Sequence, residues 1–181
     1  KILEDTDGDG TVDKITTYAD NLNIPMGVYP FDGNAIVYSI PNIYLLKDEN
    51  GDGKADSRKV LFGPLGHRDT HGMNNAFRRA FDSWLYINHG FSNDSVVTAT
   101  DGSSIKINSG NTYRVRLDGS RVEQYTWGQV NPFGSAFDSL GNYYTSDCHS
   151  SPIYQLVRGA YYPSFGKPHD GLGFAPAIMR H

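Results

Sequence analysis

The chain has 181 residues, with 16 Lys and Arg against 20 Asp and Glu and a formal net charge of −4, so it lacks the basic field that draws nucleic acid. Hydrophobic residues make up 38% and aromatics 13%, with 20 Gly and 9 Pro, which points to a folded, turn-rich and non-helical chain. No apolar run reaches the roughly 18 residues that cross a membrane, and a single cysteine, Cys148, excludes an internal disulfide, a cysteine zinc cluster and a CxxCH haem site within these residues.

In chain order the first signal is an acidic turn. Asp5-x-Asp7-x-Asp9-Gly10-x-x-Asp13 sets oxygen donors at alternate positions around a glycine where the chain must bend sharply, the ligand pattern of a Ca²⁺ loop. The pattern returns 43 residues later as Asp48-x-Asn50-x-Asp52-Gly53-x-x-Asp56. Carboxylates crowded into one turn repel unless a cation lies among them. The candidate Ca²⁺ ligands are therefore Asp5, Asp7, Asp9, Thr11 and Asp13 in one loop, and Asp48, Asn50, Asp52, Lys54 and Asp56 in the other. An EF-hand would need Glu where Thr16 and Lys59 stand, and the flanks read as strands. A structural site carried on a hairpin is expected.

Next come three segments of one form: strand, Asp-containing tight turn, aromatic-rich strand. They are Met26 to Tyr38, Asn74 to Ile87 and Gly134 to Thr145, with Phe31, Phe81 and Phe137 as anchors 50 and 56 residues apart. Each reads as a β-hairpin. With a second hairpin between successive copies there are about four strands per unit, the make-up of a β-propeller blade. At roughly 45 to 50 residues per blade, residues 1 to 181 are expected to form a single all-β domain of three to four blades, part of a longer closed propeller.

Strand counting then sorts the polar residues. Pro25, His71 and Asn131 precede the first strand of each hairpin, while Ile40, His89 and Asp147-Cys148-His149 follow its second. All are expected around one mouth of the central channel, with the acidic turns on the opposite face. His71, His89, His149 and Asp147 together suit general-base catalysis, since imidazole titrates near neutrality and a carboxylate can orient it; they also suit a metal. His67 and His71 are four apart with no helix to align them. Arg158 to Phe174 reads as a long Gly- and Pro-rich loop from which His169 could reach the mouth, and Asn93-Asp94-Ser95 is a formal glycosylation sequon. Three functions stay open: an oxidoreductase, a metal-dependent lactonase-like hydrolase using Asp147, His149 and His89, and a Ca²⁺-stabilised carbohydrate-binding or interaction propeller.

The combination of DTDGDGTVDK, DENGDGKADSR, DTHGMNN, WLYINHG, VNPFGSAFDSLGNYYTSDCHSSPIYQL and RGAYYPSFGKPHDGLGF resembles the N-terminal propeller domain of the planctomycete-type membrane-bound dehydrogenase family. That family is similar in turn to six-bladed soluble quinoprotein glucose and sorbosone dehydrogenases. The resemblance implies an exported or periplasmic protein, with any membrane association made through other parts, that oxidises a sugar or polyol. Electrons would pass to a quinone, or to a c-type cytochrome whose haem lies outside these residues. It implies His71 as the base; beside it, Asp147 and His149 are expected as orienting or binding groups, and His89, Asn131, Arg68 and His169 as contacts to substrate or cofactor. Pyrroloquinoline quinone and Ca²⁺ are the implied cofactors. Where those enzymes carry a quinone-contacting Arg before Asn-Pro-x-Gly, this chain has Val130; Arg68, Arg78 and Arg79 are the candidate guanidinium groups to substitute for it.

Overall fold

The structure is a computed structural model that describes residues 1–150, 152–162 and 164. Strands β1 (Ile2–Glu4) and β2 (Lys14–Thr16) form a hairpin around the first acidic loop. The first sheet is an antiparallel meander of β3 (Val28–Phe31), β4 (Asn34–Ser39), β5 (Asn42–Lys47) and β6 (Ser57–Phe62), with the second acidic loop between its last two strands. Asp32 and Gly33 join β3 to β4, both at positive φ, 45° and 75°, as a tight hairpin with right-handed twist requires.

The second sheet opens with β7 (Asn74–Arg79) and β8 (Leu85–His89). A separate hairpin follows, β9 (Asp94–Thr98) and β10 (Ser104–Asn108), before the sheet resumes with β11 (Asn111–Val115) and β12 (Val122–Gly128). The third sheet contains β13 (Pro132–Phe137), β14 (Tyr143–Asp147) and β15 (Tyr154–Leu156). Then β16 (Tyr161–Tyr162) returns to pair in parallel with the edge of β12. The segment read as an irregular loop from Arg158 thus contains a short strand, and its remainder, with His169, lies outside the described residues.

All three expected hairpins form, and the first strands of the sheets lie side by side, β3 against β7 and β7 against β13. The fold is all-β, built of several small antiparallel sheets, and no ring of sheets closes among the described residues.

The middle sheet is covered on both faces, so alternation along one strand feeds two cores. From β8, Leu85 and Ile87 enter a core shared with Ile36, Tyr38 and Phe62 of the first sheet. Tyr86 points the other way, into a core with Tyr143, Tyr154 and Tyr162. There Tyr86 stands edge-on to Tyr125 at 4.9 Å and to Phe137 at 5.1 Å, and Phe137 stacks on Tyr143 at 4.4 Å. Each such pair adds about 1 kcal/mol beyond its buried area. Arg114 of β11 is 8% exposed. It bonds Asp82 at 2.8 Å and Glu123 at 2.7 Å, with its guanidinium 4.5 Å over the Trp84 ring.

The acidic hairpins repeat in register as well as in sequence. Ile2, Leu3 and Glu4 pair with Thr16, Ile15 and Lys14; Leu45, Leu46 and Lys47 pair with Lys59, Arg58 and Ser57, every partner displaced by the same 43 positions.

Candidate functional site

Register fixes which residues share an end of the sheets. Asn74 pairs with His89 and Pro132 with Asp147, so the loops entering β7 and β13 meet those leaving β8 and β14. Side chains lace these loops to one another. Asn93 accepts from the Asp69 N–H at 3.0 Å and donates to the carbonyls of Asp69 and Gly72 at 2.8 and 2.9 Å. Asn131 Oδ1 accepts from the Phe91 N–H at 3.1 Å. Backbones meet closely enough to need glycine. A Cβ on Gly72 would sit 2.3 Å from Phe91 N, and one on Gly90 would sit 2.3 Å from Asn131 Oδ1.

His71 stands on this rim with its side chain 92% exposed. Its Nδ1 lies 3.2 Å from Asp69 Oδ1, which also accepts the His71 backbone N–H at 2.9 Å. A carboxylate can only accept, so Nδ1 carries the proton and the Nε2 lone pair faces solvent. An imidazole so oriented is equipped to take a proton from a hydroxyl group. His149 lies nearby, its ring centroid 6.4 Å from that of Phe91.

At the opposite end, beyond Lys47 of β5, the two acidic loops fold alike. Asp5 accepts from Gly8 and Gly10 at 2.7 and 2.9 Å, as Asp48 does from Gly51 and Gly53 at 2.7 and 2.8 Å. Asp9 and Asp52 accept from Thr11 and Lys54 at 2.7 and 2.9 Å; Asp13 and Asp56 accept from Thr6 and Glu49 at 2.7 and 2.8 Å. The N–H groups of Gly10 and Gly8 hold the Asp5 carboxyl below its ordinary range, and Thr6 does the same for Asp13. Asp5, Asp7 and Asp13 are exposed and each offers a carboxylate oxygen within 4.8 Å of the others, a cluster able to hold a metal ion. In the second loop Asn50 takes the place of Asp7 and binds the Asp52 N–H at 2.9 Å.

One family model spans both acidic loops, the three sheets and the rim, matching residues 1–171. The chain belongs to the DUF7133 family. Its description is a domain of unknown function. No curated protein sequence matches the chain. Among solved structures, this DUF7133 chain is similar to the PQQ-bound aldose sugar dehydrogenase of Streptomyces coelicolor, at 16% identity and TM-score 0.41 over 88% of this chain and 67% of that one. It is also similar to a luciferin-regenerating enzyme, at 10% identity and TM-score 0.40 over 74% of this chain and 58% of the other.

Other candidate residues of the DUF7133 chain fall in different settings from those their positions suggest. His89 is fully buried, with Nε2 2.8 Å from Ser95 Oγ, and burial lowers its pKa to about 4. A sealed ring cannot reach a ligand at the mouth. Asp147 is also buried, and it spends its oxygens on the N–H groups of Val130, Asn131 and His149 at 2.8, 3.0 and 3.2 Å and on Ser150 Oγ at 2.7 Å. It pins the His149 backbone and leaves the ring unoriented. Asn131 is a loop clamp, and Val130 is 1% exposed. Arg68 is exposed, with no hydrogen bond among the described residues. Asn93, the sequon asparagine, is 1% exposed and fully engaged, so it is closed to glycosylation. Sequence reading missed Asp69; its signal was the spacing in Asp69-x-His71, which lets a carboxylate bond both the backbone and the ring of a histidine two residues on.

Proposed function

We propose that the three sheets are blades of a larger, six-bladed-type β-propeller, stiffened by Ca²⁺ in the two acidic loops. In this reading the Asp69–His71 pair on its rim is the base that removes a hydroxyl proton from a sugar or polyol as that alcohol is oxidised. One observation carries the reading: the 3.2 Å contact from Asp69 Oδ1 to His71 Nδ1, which commits that nitrogen as donor and leaves Nε2 free. Asp69 fixes the tautomer and offsets the charge that His71 gains on taking the proton. The carbinol carbon gives up its hydride, two electrons with one proton, to a two-electron acceptor of quinone type outside the described residues, and a c-type cytochrome of the full-length protein would take those electrons onward one at a time.

The first acidic loop fits Ca²⁺, since the carboxylate oxygens of Asp5, Asp7 and Asp13 converge in one turn, and the second is assigned a like role from its matching loop hydrogen bonds. Bound there, the ion would tie β1 to β2 and β5 to β6. The rim does not fit pyrroloquinoline quinone in the expected way. The position that should present a guanidinium is Val130, which is buried with its N–H held by Asp147. The hydrolase reading has lost its ligand set, because His89 is sealed and Asp147 is saturated by backbone donors.

The test uses the full-length protein and a panel of aldoses and polyols with a reducible dye. His71→Gln should lower turnover by about 10²- to 10⁴-fold with the melting temperature unchanged, because the ring is exposed, and Asp69→Asn should lower it by a smaller factor. Equal turnover in wild type and His71→Gln would overturn the proposal and leave a binding propeller.

A further inference from the structure

The β1–β2 hairpin reproduces β5–β6 in strand register and in loop hydrogen bonds, yet one neighbour is missing. In the first sheet β5 has β6 on one side and β4 on the other, with Leu46 opposite Ala35 and Leu45 opposite Ile36. The equivalent edge of β1, at Leu3 and Ile2, has no strand among the described residues. Apolar side chains stand open around it, Leu3 61%, Ile15 60% and Val28 59% exposed. Between this edge and β3 runs a groove of about 560 Å³ lined by Ile2, Tyr18, Val28, Pro30 and Phe31.

We infer that β1 and β2 are the third and fourth strands of an incomplete sheet, and that the groove receives its first two strands as a hairpin of this protein's own polypeptide from outside the described residues. The inference rests on the repeat and not on the catalytic reading. Strands β3 to β8 and β11 to β16 already belong to sheets of three or more strands, and the β9–β10 hairpin packs against β12, so the occupant is not among them. A second copy is the poorer candidate. Its matching free edge is its own β1, and pairing two strands of three residues would leave the groove beside Val28 and Pro30 unfilled.

The repeat also fixes the register. A strand antiparallel to β1 sets one residue opposite Leu3 and the next opposite Ile2, as Ala35 and Ile36 face Leu46 and Leu45. That strand should read as alternating apolar residues, like β4, and should follow a partner that packs on Val28.

Hydrogen exchange on the full-length protein decides the matter. If the hairpin docks, residues 2–4 should exchange about as slowly as residues 45–47 at every protein concentration, on the order of 10³-fold slower than a frayed edge. Fast exchange in β1 while β5 stays protected would overturn the inference. Protection that appears only as concentration rises would also overturn it, assigning the edge to a second copy. Dye reduction is not read, so loss of the proposed activity leaves this result untouched.

Discussion

His89 should make the protein sensitive to mild acid in a window that no other perturbed group among the described residues occupies. Its ring is wholly buried, and burial lowers its pKa from 6.5 to about 4. The folded pKa lies below the unfolded one, so as pH falls the unfolded chain takes up the proton first. Stability is therefore complete above pH 6.5 and drains away towards pH 4. The full difference corresponds to about 3 kcal/mol, of which about 2 kcal/mol is gone by pH 5. Asp5 and Asp13 have lowered pKa values, from an ordinary 3.8, and stay ionised throughout. Urea midpoints near pH 7.5 and pH 5 should fall in the wild type by that amount. His89→Gln, which cannot take a proton there, should start lower by about 1 kcal/mol for its altered bond to Ser95, yet lose little between the two conditions. An equal acid-induced drop in both proteins would refute the assignment of the effect to this ring.

Chelation should lower the melting temperature of the full-length protein and excess Ca²⁺ should restore it, since ion at 100 times its dissociation constant stabilises the folded state by about 2.7 kcal/mol per site. Asp5→Ala should remove roughly half of that response, and identical melting curves with and without EDTA would count against both loops. Arg114→Met should cost about 3 kcal/mol by urea denaturation, because it strips the interior partner from Asp82 and Glu123 and the cation from the Trp84 face. A loss under about 1 kcal/mol would mean that Arg121 and Arg158, which also hold Glu123 at 3.1 and 2.8 Å, take over the role.

The hairpins were legible because their signals are local. Asp32-Gly33 dictates a tight turn from two residues, and the acidic loops carry their hydrogen-bonding pattern in consecutive side chains. The site was only partly legible because exposure depends on segments remote in sequence. His71 and His89 both stand at the strand ends that strand counting assigns to the mouth. What separates them is the inserted β9–β10 hairpin, whose Ser95 bonds His89 Nε2 and the Gly66 N–H at 2.8 and 2.9 Å and closes over the ring. A sequon gives no warning that Asn93 will be spent on tying two loops together. Asp147 likewise shows its charge in the sequence but not the four donors that consume it.

Antiparallel register places the two kinds of chemistry at opposite ends of the sheets. The acidic loop leaves β5 after Lys47, at the end where β4 begins with Asn34 and Ala35, whereas the rim lies where β8 ends at His89 and β14 at Asp147. A cation in those loops therefore cannot polarise a substrate at His71. It can act on the rim only by holding the strands together. Metal removal should accordingly lower the melting temperature while leaving turnover and KM unaltered at temperatures well below the transition. Substitution at the rim should do the reverse. A KM that rises on chelation in protein still fully folded would break this separation and place a second cation beside His71.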